Sequence, residues 1–206
     1  MTIHLAAELQ SQGLDSIPPL LLARLTWTAC VEAYGPETAH NVDKHCSRKV
    51  AGVIIWHGND LALQERLTGA KGIAPSAGHL EESEDPEETV RREAYEETGL
   101  TLLHCSLIGT GRRFDRCKRF GSDYHDWSIY EAHAQRREEL RLNPDESVSI
   151  AWYQPFQVLE LAARTEEFLR QHISLVDWEQ RPGLEVVWYW WLHQLGVLDR
   201  LRHLAS

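Results

Sequence analysis

Apolar positions along the chain change their period several times, and each change predicts an element. Residues 50–56 form a β-rich apolar run, Gly58-Asn59-Asp60 supplies a turn, and residues 61–66 alternate Leu61, Leu63 and Glu65 against Ala62, Gln64 and Arg66. That is the grammar of a hairpin. Residues 69–78, rich in glycine and small side chains, are expected to be irregular. Residues 86–98 read as a helix with clear boundaries: Asp85 caps the first turn, Pro86 suits the first helical position, Glu88 completes a capping box, and Gly99 ends the helix. Further strands are expected at 102–110, 127–134 and 147–153, and a helix at 156–172. After the break at Arg181-Pro182-Gly183, residues 184–204 are expected to form a terminal helix, while the first 45 residues read as helices broken at Pro18-Pro19, the second spanning 20–34. The order of elements implies a mixed α/β core with helical extensions at both ends.

Composition narrows the class of protein. The chain has 206 residues, 43% hydrophobic and 25% charged, as expected of a soluble globular protein. A chain of this size buries roughly 70% of the surface its unfolded form exposes, enough to form a core without disulfides or structural metal. Cys30, Cys46, Cys105 and Cys117 show no C-x-x-C pairing, so neither a zinc ribbon nor a disulfide framework is indicated, and a cytoplasmic location is expected. The first residues lack the pattern of an export signal. The longest apolar run, 186–192, has seven residues against the roughly 20 a membrane span needs, so no membrane span is expected.

Net charge is −10, which argues against a general electrostatic grip on nucleic acid. Nine carboxylates lie between Glu81 and Glu97, with only Arg91 and Arg92 among them, and a cluster of opposite sign runs Arg112, Arg113, Arg116, Lys118, Arg119. On the helix, Glu93, Glu96 and Glu97 stand at i, i+3 and i+4 and so project from neighbouring positions. Taken alone, an E-x-x-E-E segment reads most simply as a salt-bridged surface helix, because Arg92 stands four residues from both Glu88 and Glu96.

The longer pattern changes that reading. Gly78, then five residues, Glu84, then seven residues, then Arg92-Glu93-Ala94-Tyr95-Glu96-Glu97-Thr98-Gly99-Leu100 resembles the box of the Nudix hydrolases, G-x5-E-x7-R-E-U-x-E-E-x-G-U. The lead-in Pro75-Ser76-Ala77-Gly78-His79 is similar too, although Ala77 stands where a second glycine is common. The resemblance implies a Nudix α/β/α sandwich with a mixed sheet, over residues 47–173, between a helical extension at 1–46 and a C-terminal helical extension at 174–206. It also implies a metal-dependent hydrolase that cleaves a phosphoanhydride bond in a nucleoside diphosphate linked to another moiety. An acidic helix repels an anionic pyrophosphate unless divalent cations stand between them, and Mg²⁺, or Mn²⁺ in its place, prefers hard oxygen ligands.

By the same resemblance Glu93, Glu96 and Glu97, with the main-chain carbonyl of Gly78 or Ala77, are the metal ligands. Arg92 orients a catalytic glutamate, Glu93 is a ligand or general base, and Glu84 is a lesser ligand or brace. Glu146, or Asp145, could approach the metal site, though a surface acid at a strand entry is the simpler reading. Arg112 and Arg113 are candidates to hold a substrate phosphate and Trp127 to stack on a base, against the simpler alternatives of a solvated loop and a core tryptophan. His125 beside them could transfer a proton. Trp188, Trp190 and Trp191 in the last helix are expected to dock on their own domain, with a homodimer interface as the alternative.

ADP-ribose hydrolases of the family tend to carry a proline about 16 residues past the box, and none occurs here between Pro86 and Pro144. A nucleoside triphosphate, a dinucleoside polyphosphate or a sugar nucleotide is left as the small-molecule substrate. The competing class is a non-hydrolytic Nudix-fold sensing or interaction module, or a diphosphate isomerase; the intact glutamates of the box speak against it.

Overall fold

The computed structural model describes residues 41–206 apart from Thr68, Arg116, Lys118, Gly121, Asp123 and Glu138. The helices expected within residues 1–40 lie outside the described residues. Nine strands and five helices follow in the described residues: β1 Asn41–His45, β2 Lys49–His57, β3 Asp60–Arg66, β4 Ile73–Ala74, β5 Ser76–His79, α1 Pro86–Thr98, β6 Cys105–Arg113, β7 Arg119–Phe120, β8 His125–His133, β9 Ser147–Tyr153, α2 Pro155–Leu169, α3 Leu175–Gln180, α4 Val186–Gln194 and α5 Val197–Ala205.

The main sheet runs β4-β3-β2-β8-β6, with β5 added to β2 and β9 to β3. It is mixed: β2 and β8 are parallel, whereas the β2–β3 hairpin, β3–β9, β2–β5 and β6–β8 are antiparallel. Alternation along β2 assigns its two faces. Val50, Ile54 and Trp56 enter one core with Leu61, Leu63, Trp127, Ile129, Val158, Trp188 and Trp191, beneath α2 and α4. Ala51, Val53 and Ile55 enter the other with Ala62, Tyr130, Ala132 and, from α1, Val90 and Ala94. Period-two strands thus bury both faces between helices, which is the expected α/β/α sandwich.

Gly52 faces the tryptophan side, where a Cβ would stand 2.6 Å from Cζ2 of Trp188. Gly52→Ala is therefore expected to lower unfolding free energy by about 1–3 kcal/mol through overpacking. An unchanged urea midpoint would show that the indole has room to move.

Four expectations need correction. Asn41–His45 is a strand, paired in parallel with β7, and not part of a helix. The segment 69–78 is not wholly irregular, because Ser76, Ala77 and Gly78 are small enough to enter the sheet as β5 between β2 and α1, with Gly78 opposite Ala51. Arg112 and Arg113 belong to β6 and not to the connection, since the ladder continues to pair them with Asp126 and His125. The expected helix 184–204 is two, α4 and α5, broken where Gly196 takes φ 70°. Trp188, Trp190 and Trp191 are buried within the chain, as docking of α4 requires. No helix among the described residues is long and apolar enough to cross a membrane.

Candidate active site

Helix α1 is fixed at both ends before it carries any chemistry. Asp85 accepts from the Glu88 N–H at 2.8 Å, the Glu88 carboxylate accepts from the Asp85 N–H at 3.0 Å, and Gly99 closes the helix at φ 78°. Its inner face packs Val90 and Ala94 on the sheet, and the same turn geometry carries Glu93 and Glu97 inward. Glu97 is 2% exposed and Glu93 9%, while Glu96 projects from the rim. The E-x-x-E-E segment is thus split into two buried acids and one exposed one.

Glu93 and Glu97 meet a third acid. One carboxylate oxygen from each of Glu93, Glu97 and Glu146 lies within 4.8 Å of the other two. Glu146 arrives from the turn before β9, where the N–H of Leu67 holds its carbonyl at 2.8 Å. The Ala77 N–H donates to Glu97 at 3.2 Å. Gly78 lies so close to Glu93 that a Cβ there would stand 1.7 Å from Oε1.

Arg92 organises the opposite side. Its guanidinium donates to both carboxylate oxygens of Glu84, at 2.7 and 3.0 Å, to Glu93 at 2.8 Å, to Glu96 at 3.1 Å and to the His79 carbonyl at 3.2 Å. The hydrogen bond from Arg92 is the main reason that the Glu84 carboxyl is held down to about 2, against the effect of burial. A carboxylate lowered in the folded state stabilises the fold above its ordinary pKa of 4.5 and loses that contribution as pH falls towards about 2. Glu84→Gln is accordingly expected to reduce stability at pH 7 and to flatten the acid limb in that window. Identical limbs in variant and parent would remove Glu84 from its role as a brace.

Electrostatics set the buried pair apart from Glu84. Burial pushes Glu97 up to about 8, with Arg66 opposing and Glu93 and Glu146 adding to the rise, and burial also raises Glu93 against the pull of Arg92. Arg92 on Glu93 and Arg66 near Glu97 offset this crowding of three carboxylates only in part, since burial still raises both Glu93 and Glu97. A hard divalent cation fits the donor set: the groups are all oxygen, they converge, and the missing Cβ of Gly78 is what lets the Glu93 carboxylate stand there.

Of the proposed substrate residues, Trp127 lines a cavity with Ala77, Gly78 and His79, and the two arginines lie on β6. Arg112 forms a two-point pair with Asp126 at 2.8 and 3.0 Å and lies over the Tyr124 ring at 4.0 Å. Arg113 lies over Trp191 at 3.9 Å and bonds Gln194. Trp127 is 5% exposed and edge-on to Trp188 at 5.6 Å, the position of a core tryptophan.

Sequence reasoning missed Arg66 and Glu185. Arg66, on β3, and the buried Glu185, ahead of α4, line a cavity next to the glutamates with Ala77, Gly78, His79, His125 and Trp127. Burial pushes the Glu185 carboxyl up to about 7, with Arg66 3.9 Å away. Nothing local marks Glu185, since long-range backbone bonds deliver it there, its own N–H to the Ile73 carbonyl at 2.9 Å and the Ile73 N–H to the Gly183 carbonyl at 2.9 Å. Also missed was the convergence of Cys46, His79, Cys117 and His125, which come from four separate segments.

A mixed sheet sandwiched by helices, with a capped helix that turns buried glutamates towards a glycine-bearing strand, defines an α/β/α sandwich protein with an acidic site on one helix. The NUDIX domain family model matches residues 47–174, and the chain belongs to the Nudix family. An RNA pyrophosphohydrolase from Psychromonas ingrahamii (strain DSM 17664 / CCUG 51855 / 37) is 34% identical over 77 residues, covering 37% of this chain and 42% of that protein. The chain thus spans less than half of that relative's length. The dihydroneopterin triphosphate pyrophosphohydrolase of E. coli shares the fold with a TM-score of 0.50 at 16% identity, over 62% of this chain and 92% of the other. The MutT NUDIX hydrolase of Burkholderia pseudomallei aligns with a TM-score of 0.45 and 25% identity, over 52% of this chain and 81% of that one.

Proposed function

We propose that the chain is a divalent-metal-dependent pyrophosphohydrolase acting on a phosphoanhydride of a nucleotide derivative. The observation that carries this reading is the convergence of Glu93, Glu97 and Glu146, two of them buried, beside Gly78. Mg²⁺, or Mn²⁺, held by Glu93 and Glu97 with help from Glu96, Glu146 and the Gly78 backbone, would supply charge neutralisation at the diphosphate and a more acidic water.

The chain's own residues do the rest. The Ala77 N–H fixes Glu97, and Arg92 holds Glu93 in one orientation, so neither acid needs to reorganise when substrate arrives. Glu93, raised by burial, is placed to accept a proton from an attacking water. Arg66, whose charge reaches Glu97, and exposed Arg112 are the cations we assign to substrate phosphates. A reducing, cytoplasmic setting suits Cys46, Cys105 and Cys117, none of which is in a disulfide.

The substrate remains a class: a nucleoside triphosphate, a dinucleoside polyphosphate or a sugar nucleotide, with an RNA end added because the partial relative is named for RNA. Purified chain with Mg²⁺ is expected to release a phosphate-bearing product from at least one member of this panel, and chelation is expected to stop it. Failure on every member with both Mg²⁺ and Mn²⁺ would favour the sensing or isomerase class instead.

A further inference from the structure

Four soft and borderline donors meet on the far side of the strand that carries Gly78. His79 Nε2 lies 3.4 Å from Cys46 Sγ, 3.3 Å from Cys117 Sγ and 3.2 Å from His125 Nε2, while Cys46 Sγ and His125 Nε2 are 3.4 Å apart. All four donor atoms fall within 4.8 Å of one another. A tetrahedral zinc with bonds of about 2.3 Å to sulfur and about 2.0–2.1 Å to nitrogen has edges of roughly 3.3–3.8 Å. The observed separations are within a few tenths of an ångström of those edges.

The surroundings are those of a built metal site. Backbone N–H groups two residues on donate to each sulfur, Arg48 to Cys46 at 3.3 Å and Arg119 to Cys117 at 3.2 Å, an arrangement that favours thiolates. Asp115 stands 3.0 Å from Nδ1 of His125, opposite the nitrogen that points to the centre, and the Trp127 indole N–H holds that carboxylate at 3.2 Å. A carboxylate behind a histidine fixes its tautomer and ring angle for metal binding. Cys46, Cys117, His125 and Asp115 are all buried. Two thiolates and two neutral imidazoles around one Zn²⁺ sum to zero charge, which suits such a place.

We propose that Cys46, His79, Cys117 and His125 form a structural zinc site that ties the end of β5 and the start of β8 to the β6–β8 connection and to the segment before β2. The donor sets of the two sites separate by hardness: all-oxygen carboxylates for Mg²⁺, sulfur and imidazole for Zn²⁺. His79 follows Gly78 directly, and its carbonyl accepts from Arg92 at 3.2 Å, so the zinc also positions the strand against which Glu93 rests. The inference stands independently of the proposed hydrolase.

Metal analysis of the full chain, purified under reductant without chelator, is expected to find about one zinc per chain. After exchange, Co²⁺ is expected to give the intense visible bands of a tetrahedral cobalt–thiolate complex. Cys117→Ser is expected to reduce bound zinc at least about tenfold and to lower Tm by about 5 °C or more, whereas Glu97→Gln keeps its zinc. Should Cys117→Ser fail to fold, the cobalt spectrum of the unmodified chain decides. The proposal is overturned by zinc-free protein whose cobalt form lacks those bands, by Cys117→Ser that keeps its zinc, or by a Cys46–Cys117 disulfide in the reduced preparation.

Discussion

Glu97→Gln should cut turnover by at least about a hundredfold while leaving the fold intact. The amide matches the carboxylate in size and still accepts from the Ala77 N–H, so the packing under α1 is kept. What it loses is the charge that a cation needs. Its stability should move the other way. Glu97, raised to about 8, is disfavoured as an anion in metal-free protein. Such a group contributes stability that is fully present below its ordinary value of 4.5 and is lost as pH rises through about 8. Metal-free parent should therefore lose stability across that window, and metal-free Glu97→Gln should lose less. Turnover within a few-fold of the parent would remove Glu97 from the chemistry.

Gly78→Ala should damage the site more than the fold. Its Cβ would meet Glu93 Oε1 at 1.7 Å and Cδ at 2.1 Å, both at the far end of a flexible side chain. The acid can swing aside, so the chain should fold; the acid cannot then keep both its bond to Arg92 and its place beside Glu97 and Glu146. Loss of one correctly placed carboxylate predicts a drop of about tenfold or more in Mg²⁺ affinity, with a matching fall in turnover at limiting metal. Calorimetric titration reads the affinity directly. Undiminished affinity would show that Glu93 is not held where the Gly78 backbone leaves it room.

Helix α1 was legible to the residue because its signals are local. Asp85, Pro86, Glu88 and Gly99 fix its ends whatever the rest of the chain does. Strands β2, β3 and β9 were nearly as clear, β2 as an unbroken β-rich apolar run and β3 and β9 by alternation. Strand β5 was not, because Ser76, Ala77 and Gly78 look like loop and enter the sheet only through their smallness beside α1. Gly196, whose φ of 70° divides the terminal helix, was hidden within an apolar stripe.

The site follows the same rule. Spacing placed Glu93 and Glu97 on one helix face, but which face was buried depended on Val90 and Ala94. Glu146 reaches Glu93 and Glu97, and Glu185 reaches the cavity beside Arg66, through tertiary contacts. Cys46, His79, Cys117 and His125 carried no ribbon spacing, and only β2, β5 and β8 lying side by side, with the connection folded over them, bring the four together.

The account rests on a divalent cation seated among glutamates, and crystals grown with Mn²⁺ test it most directly. Anomalous scattering should place manganese between Glu93 and Glu97, within reach of Glu146 and the Gly78 backbone, and Glu97→Gln should abolish that peak. No manganese among these acids, or a peak unchanged by the substitution, would contradict it.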